Sequence, residues 1–127
     1  MARILAIEDD PSFRDLLRLH LQSAGHSVRV AADPEEGLRA ILEDPPELIL
    51  LDLELPYLSG FEVLEALRAD QASQSIPVII ITANSDADAY ERCRKIGFDA
   101  FVSKPLKRED LMREINKVLP VEKGRTV

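Results

Sequence analysis

The sequence predicts an α/β fold in which a doubly wound, five-stranded parallel sheet carries five helices. Short apolar runs alternate along the chain with longer segments whose apolar residues recur at helical spacing. The third run, residues 48–51, consists only of Leu and Ile, which is typical of a strand buried on both faces of a parallel sheet. Of the two common orders of open parallel sheets, 2-1-3-4-5 suits five strands with one switch point between strands 1 and 3.

The predicted strands differ in how much apolar surface they carry. They span residues 4–7, 27–32, 48–51, 76–82 and 98–103. The fourth is the richest in β-branched residues, which predicts a central strand. The second alternates apolar and polar residues, which predicts a strand near the edge of the sheet.

Capping and breaking residues bound the predicted helices, because Asp and Ser side chains accept first-turn N–H groups and Gly or Pro interrupts a helix. The predicted starts are Asp10 or Ser12, Asp33, Ser59, the Ser85–Asp86 pair and about Lys107. The predicted ends are Gly25, Asp44, Asp70, Gly97 and Pro120. In the second helix we predict an inner face of Leu38, Ile41 and Leu42.

The composition favours one folded cytoplasmic domain over residues 1–120, with residues 121–127 as a tail or the start of a linker. Hydrophobic residues make up 46% of the 127 residues and charged residues 31%. The net charge of −7 argues against direct nucleic-acid binding and against an anionic membrane surface. We expect no membrane span, because every apolar run is short. Cys93 is the only cysteine, which excludes an internal disulfide and fits a reducing compartment.

Polar residues follow four of the predicted strands where each strand ends. In the order 2-1-3-4-5, strands 1, 3, 4 and 5 are consecutive neighbours and their carboxyl ends share one edge of the sheet. The residues at those ends are Glu8 and Asp9, Asp52, Thr82, and Lys104. We therefore expect these side chains to converge.

Convergence of three carboxylates has a chemical consequence. At about 5 Å and an effective dielectric constant of about 20, each pair repels by about 3 kcal/mol, so the cluster holds protons or binds a cation. Oxygen ligands on a solvent-open edge favour Mg²⁺, and the backbone carbonyl of Glu54 is a further candidate ligand. With Lys104 and the hydroxyl of Thr82 nearby, Asp52 is a candidate nucleophile for phosphoryl transfer.

Five short motifs give the chain a family resemblance. They occupy residues 7–11, 51–56, 81–83, 97–101 and 104–105. In this order and spacing, the sequence resembles the receiver domain of two-component response regulators, the CheY-like family with a flavodoxin-like fold. The resemblance covers residues 3 to about 119.

The resemblance implies that Asp52 is the phosphoacceptor. The donor would be a phosphohistidine on a sensor histidine kinase or a phosphotransfer protein. It implies that Mg²⁺, or Mn²⁺, is held by Glu8, Asp9, Asp52 and the backbone carbonyl of Glu54. It also implies a signalling domain that catalyses only its own phosphorylation and dephosphorylation, with Thr82 and Lys104 assisting at the phosphoryl group.

The resemblance further implies a switch. Thr82 and Phe101 would move together and alter the surface formed by the fourth helix, fifth strand and fifth helix. That surface would control an unknown downstream protein or output domain, or a phosphorylation-dependent homodimer. Glu54 and Asn84 occupy positions that tune the lifetime of the phosphate, and the bond from Lys104 to Pro105 would be cis.

Four positions depart from the family pattern. Glu8 replaces the commoner Asp, and its longer side chain can reach the ion through water. Phe101 stands where the family often has Tyr, so no phenolic hydroxyl is available there. Tyr57 and Ser59 lie in a loop that usually carries small and acidic residues, and we expect them to change only the surface.

Three alternatives share parts of this pattern. A phosphatase of the haloacid-dehalogenase type also uses Asp, Mg²⁺, Thr and Lys, but its nucleophile follows the first strand, whereas Asp52 follows the third. An FMN carrier shares the fold, but Glu8, Asp9 and Asp10 would repel its phosphate. A receiver that has lost its switch is the third alternative, and the presence of every required residue type argues against it.

Overall fold

The computed structural model describes residues 1–84 and 86–119, and it contains the predicted sheet. Five parallel strands are ordered β2-β1-β3-β4-β5 and are connected by helices. The strands are β1 (Arg3–Ile7), β2 (Ser27–Ala31), β3 (Leu48–Leu51), β4 (Val78–Thr82) and β5 (Ala100–Ser103). The helices are α1 (Pro11–Ser23), α2 (Pro34–Glu43), α3 (Gly60–Ala69), α4 (Ala87–Ile96) and α5 (Arg108–Val118). The predicted fold class and strand order are confirmed.

The central strands are buried on both faces, as their composition predicts. Every residue of β3 and of β4 is buried. One apolar core, which includes Ile49, Leu51 and Leu64, lies on one face of the sheet. A second core, which includes Leu50, Leu21 and Ile115, lies on the other face. These two cores fix the strand ends that carry the polar residues.

The predicted caps hold four helix starts in place. The side chains of Asp10, Asp33, Ser59 and Asp86 each accept a hydrogen bond from a backbone N–H of the following turn. Lys107 precedes α5 without a side-chain cap. Ser85, Pro120 and the predicted tail lie outside the described residues.

The predicted inner face of α2 is wrong at Leu42, which is 68% exposed. The buried side of this helix instead runs through Pro34, Gly37 and Ile41. A Cβ atom on Gly37 would lie only 2.7 Å from Cδ1 of Ile7, so the helix approaches β1 along the glycine. The side of α2 that carries Gly37 packs closest to β1, and this leaves Leu42 facing solvent. The spacing of apolar residues alone does not predict which side packs closest.

The boundaries of β1 and β2 each differ from the prediction by one residue, and those of β4 and β5 differ by two. The fourth strand begins at Val78 and the fifth at Ala100, each two residues later than the apolar runs. Phe98 lies before β5, after Gly97 has ended α4 with φ at 113°. Within the described residues, no helix is both long and apolar enough to cross a membrane.

Candidate phosphoryl-transfer site

Backbone hydrogen bonds continue the sheet for one residue beyond its strands and so fix the predicted site residues. The N–H of Glu8 donates to the carbonyl of Ala31 at 2.9 Å, and the N–H of Asp52 donates to the carbonyl of Ile7 at 3.2 Å. The N–H of Lys104 donates to the carbonyl of Thr82 at 2.9 Å. The side chains therefore leave one edge of the sheet from a rigid backbone.

Three carboxylates meet at this edge. Glu8, Asp9 and Asp52 each offer an oxygen within 4.8 Å of the oxygens of the other two. Glu8 and Asp52 are buried, at 2% and 5% exposed, whereas Asp9 lies in solvent. The cluster is thus open on the side of Asp9 and closed beneath.

Lys104 lies between the two buried carboxylates. Its Nζ atom is 2.9 Å from Oε1 of Glu8 and 3.1 Å from Oδ2 of Asp52. Its side chain is 20% exposed, so the ammonium group balances part of the negative charge in a largely dry setting. The same ammonium group is available to pair with a negatively charged ligand at this edge.

Phe13, in the first turn of α1, supports this lysine, and the sequence analysis did not assign it to the site. The Nζ atom of Lys104 lies 4.1 Å from the centroid of the Phe13 ring, which is cation–π distance. Arg14 also contributes, because its guanidinium donates to the backbone carbonyls of Glu8 and Asp9 at 3.0 and 2.8 Å. The signals in the sequence were an aromatic residue and an arginine three and four residues after Asp10.

The environment shifts the pKa values of Glu8 and Lys104. Burial is the largest effect on Glu8 and raises its pKa to about 7, although its hydrogen bonds to Lys104 and to the Asp10 N–H oppose the change. Burial lowers the pKa of Lys104, but its hydrogen bonds to Glu8 and Asp52 outweigh burial, so the pKa of Lys104 is raised overall. Lys104 therefore stays charged at neutral pH, whereas Glu8 gains or loses its proton close to neutral pH.

Both oxygens of Asp52 have a donor. Oδ2 accepts from Lys104, and Oδ1 accepts from the backbone N–H of Glu54 at 3.1 Å. Gly60 braces the same backbone, because its N–H donates to the carbonyl of Leu53 at 2.9 Å. A carboxylate fixed at both oxygens is oriented for attack or for binding a cation.

Thr82 is fully buried and its hydroxyl is already engaged. Oγ1 accepts a hydrogen bond from the backbone N–H of Asn84 at 3.1 Å. A hydroxyl that accepts in this way still carries its own hydrogen for donation. Thr82 ends β4, directly beside the β5 end that carries Lys104.

Phe101 lies on β5 and packs away from the acidic cluster. Its ring centroid is 5.2 Å from that of Tyr90 and 5.7 Å from that of Phe98. The ring is half-buried against the core on the α4 side of the sheet. The peptide bond between Lys104 and Pro105 is cis.

The donor set fits a hard divalent cation. Carboxylate oxygens from Glu8, Asp9 and Asp52 converge, and Asp9 leaves solvent access for the water ligands that Mg²⁺ retains. The cluster offers oxygen atoms and neither sulfur nor imidazole, and this ligand chemistry suits Mg²⁺.

Sequence comparison decides the family. A profile of the response regulator receiver domain matches residues 4–116. The chain belongs to the response regulator receiver domain family. Receiver domains are signalling domains of two-component systems, as the resemblance implied.

Curated relatives of this receiver domain are regulators of about twice its length. A DNA-binding dual master transcriptional regulator, RpaA of Synechocystis, is 35% identical over 94% of this chain and 49% of its own length. The transcriptional regulatory protein AfsQ1 of Streptomyces coelicolor is 38% identical over 94% of this chain and 52% of its own length. The chain therefore spans about half the length of these relatives.

Solved structures of other receiver domains match the whole fold. The chemotaxis protein CheY4 of Vibrio cholerae superposes with a TM-score of 0.88 at 28% identity, covering 94% of this chain and 99% of CheY4. The receiver domain of the sensor histidine kinase PA1611 of Pseudomonas aeruginosa superposes with a TM-score of 0.85 at 30% identity, covering 92% of this chain and 96% of that domain. The latter structure has a magnesium ion coordinated in its active-site cleft.

Proposed function

We propose that this receiver domain accepts a phosphoryl group on the Asp52 carboxylate from a phosphohistidine of a sensor histidine kinase or of a phosphotransfer protein. The observation that supports this most directly is the setting of Asp52. Its two oxygens are held by Lys104 and by the Glu54 N–H, and it lies within 4.8 Å of the oxygens of Glu8 and Asp9. A buried carboxylate held in this way among acids suits nucleophilic attack on a phosphoryl group.

The bond changes in this proposal are few. An oxygen of Asp52 attacks phosphorus, the phosphorus–nitrogen bond of the donor breaks, and the bonding electron pair stays on the imidazole nitrogen. In dephosphorylation, the oxygen of a water molecule attacks phosphorus, and the phosphorus–oxygen bond to Asp52 breaks with its electron pair staying on the carboxylate. Inorganic phosphate leaves with the protons of the water. The domain catalyses these two steps on itself and has no other substrate in this proposal.

The surrounding residues neutralise the charge of the phosphoryl group and orient it. Lys104 turns from Glu8 and Asp52 to an oxygen of the phosphoryl group, and Thr82 donates its hydroxyl hydrogen to another. Glu8, Asp9, Asp52 and the Glu54 carbonyl would hold Mg²⁺, or Mn²⁺, which when bound neutralises charge on the phosphoryl oxygens. Glu54 and Asn84 occupy the positions that tune the lifetime of the phosphate in the resembled family, and we propose the same role for them here.

Phosphorylation then acts as a switch in this proposal. The phosphoryl group adds about two negative charges. A Thr82 hydroxyl that moves to bond it vacates space that the Phe101 ring can enter, and this favours a second arrangement of the surface formed by α4, β5 and α5. That surface controls an output domain, a separate downstream protein or a homodimer.

The relatives support a place for the domain within a larger regulator. Two of them are named as DNA-binding or transcriptional regulators and are about twice as long as this chain. We propose a cytoplasmic domain that governs an output of that kind and makes no nucleic-acid contact itself, because its net charge is −7.

The test is a mass measurement after incubation with Mg²⁺ and a small acyl phosphate donor. We expect wild-type protein to gain one phosphoryl group, Asp52→Asn to gain none, and a metal chelator to abolish the gain. Asp10→Asn is the matched control, since Asn also caps helices and Asp10 lies outside the carboxylate cluster. An Asp52→Asn variant that labels as fully as wild type would overturn the proposal.

A further inference from the structure

We propose that Tyr90 is a positioning residue that restrains Phe101 and couples its movement to the exposed surface of α4. The inference rests on the proposed function, because it concerns how phosphorylation at Asp52 reaches that surface. It is carried by a cluster of three aromatic rings, Tyr90, Phe98 and Phe101, which we call the aromatic cluster.

Each ring of the aromatic cluster touches the other two. The Tyr90 and Phe101 centroids are 5.2 Å apart with the planes at 66°, an edge-to-face contact. Tyr90 and Phe98 are 5.4 Å apart at 71°, and Phe98 and Phe101 are 5.7 Å apart at 55°. Such pairs contribute specific energy beyond the burial of apolar area, so Phe101 cannot turn away without losing two favourable contacts.

The cluster matters because the fully buried side chains of α4 are small, and Ile96 at its last position is only partly buried. Its buried residues are Ala89 and Cys93, which give little apolar area. Tyr90 projects from the first half of α4, and Phe98 follows the glycine that ends the helix. Phe101 therefore touches α4 at Tyr90 and touches the segment after α4 at Phe98, and a displacement of its ring removes apolar contact from both.

Tyr90 is also placed to present the change to solvent. The Tyr90 side chain is exposed at 44%, whereas Phe101 on the sheet is partly buried. Because Phe101 has no phenolic hydroxyl, the edge contact with Tyr90 restrains its ring by packing in place of a hydrogen bond. When Phe101 leaves, one face of the Tyr90 ring loses its partner and becomes accessible to solvent or to a binding partner.

The composition supplies an optical reporter for the experiment. The chain has two tyrosines and no tryptophan. In a Tyr57→Phe protein, Tyr90 is the only tyrosine, and acrylamide quenching of its fluorescence reports its exposure. We expect the quenching constant to increase when the protein is phosphorylated with Mg²⁺ and an acyl phosphate donor, and to stay constant in the same background carrying Phe101→Leu.

A rate measurement separates restraint from a merely structural role. Tyr90→Leu removes the ring and should accelerate phosphorylation by the small donor about two- to tenfold, since an aromatic pair contributes about 0.5–1.5 kcal/mol. Tyr90→Phe keeps the ring and should react at the wild-type rate. Tyr57→Leu is the matched control, because Tyr57 is fully exposed.

The outcomes are distinguishable from those of the proposed function. A protein that gains the phosphoryl mass while Tyr90 quenching stays unchanged, or a Tyr90→Leu variant that reacts at the wild-type rate, would overturn this inference alone. Wild-type protein that gains no mass would overturn the proposed function and the inference together.

Discussion

At the scale of single residues, Glu8 shows the effect of burying a second carboxylate beside Asp52. Its carboxylate is 2% exposed, lies in the cluster with Asp52 and shares Lys104 with it. Burial raises the pKa of Glu8 to about 7, above its ordinary value of 4.5. Without a divalent cation, the fold must therefore bury a carboxylate that resists ionisation.

The pH dependence of stability should reveal this directly. A raised folded-state pKa means that the contribution of Glu8 is fully present below about pH 4.5 and is lost as the pH rises through about 7. With a chelator present, we expect wild type to lose up to about 3 kcal/mol of unfolding free energy from this group between pH 5 and pH 8. Urea unfolding at each pH measures the change.

Glu8→Gln isolates that contribution, because other titrating groups are common to both proteins. We expect the variant to have a flatter pH profile than wild type and to be more stable than metal-free wild type at pH 8. Lys104 does not interfere in this range, since its pKa is raised above 10.5. Equal pH slopes for the two proteins would contradict the assignment of the titration to Glu8.

At the scale of elements, the start of α3 positions the nucleophile. Gly60 is the first residue of α3 and packs directly on the backbone after β3. A Cβ atom there would lie 2.3 Å from Cα of Leu53 and 2.5 Å from the carbonyl oxygen of Asp52. Neither backbone atom can yield as a flexible side chain does, so only glycine allows this approach.

Gly60→Ala should therefore damage stability and chemistry together. We expect a loss of about 3 kcal/mol or more from overpacking. Phosphorylation by a small donor should slow by about tenfold or more, because a nucleophile displaced by a fraction of an ångström reacts poorly. Urea unfolding and the rate of mass gain at a temperature where the variant is folded measure the two effects.

Gly37→Ala is the control for this prediction. Its Cβ would meet only side-chain atoms of Ile7, at 2.7 and 2.9 Å, and alanine favours the helix by about 1 kcal/mol. We expect a loss of about 1 kcal/mol with the phosphorylation rate unchanged. A Gly60→Ala protein that phosphorylates as fast as Gly37→Ala would show that the contact with Asp52 does not position the nucleophile.

The elements also show where sequence reasoning succeeds. Caps at Asp33 and Ser59 could be predicted because a side-chain oxygen just before a helix commonly accepts a hydrogen bond from a backbone N–H of the first turn. Leu42 could not be placed correctly, because the face that α2 buries depends on its distance from β1. The aromatic contact between Tyr90 and Phe101 was likewise hidden, since it joins a helix to a strand whose relative tilt no local pattern specifies.

At the scale of the whole molecule, the convergence of Glu8, Asp52 and Lys104 followed from strand order alone. Once strands 1, 3, 4 and 5 are neighbours, their carboxyl ends must share an edge, and the structure brings these residues into hydrogen-bond contact there. No comparable rule predicts which side chains meet at the opposite end of the sheet. Its central residue is Arg68, whose partners come from separate segments of the chain.

Arg68 joins the segments that enter β4 and β5. Its guanidinium donates to the carbonyls of Gln74 and Ile76 at 3.1 and 2.9 Å, to the carbonyl of Gly97 at 2.9 Å, and to Asp99 at 3.0 Å. Asp99 is also bonded to Val78 twice: its carboxylate accepts from the Val78 N–H at 2.8 Å, and its own N–H donates to the Val78 carbonyl at 2.9 Å. One side chain thus ties together the turn that follows α3, the segment before β4 and the segment before β5.

Substitution of Arg68 should separate stability from chemistry. Arg68→Met keeps the apolar stem and removes the hydrogen bonds that the guanidinium donates, and we expect it to cost about 2–4 kcal/mol, measured by urea unfolding. Arg68→Lys should recover little, because an ammonium group cannot reach acceptors that a planar guanidinium spans. Both variants should still gain the phosphoryl mass on Asp52 at a temperature where they are folded, since Arg68 lies at the amino ends of the strands and the site at the carboxyl ends. Full recovery by lysine would mean that charge alone matters at this position. A loss of labelling in folded protein would mean instead that the two ends of the sheet are mechanically coupled.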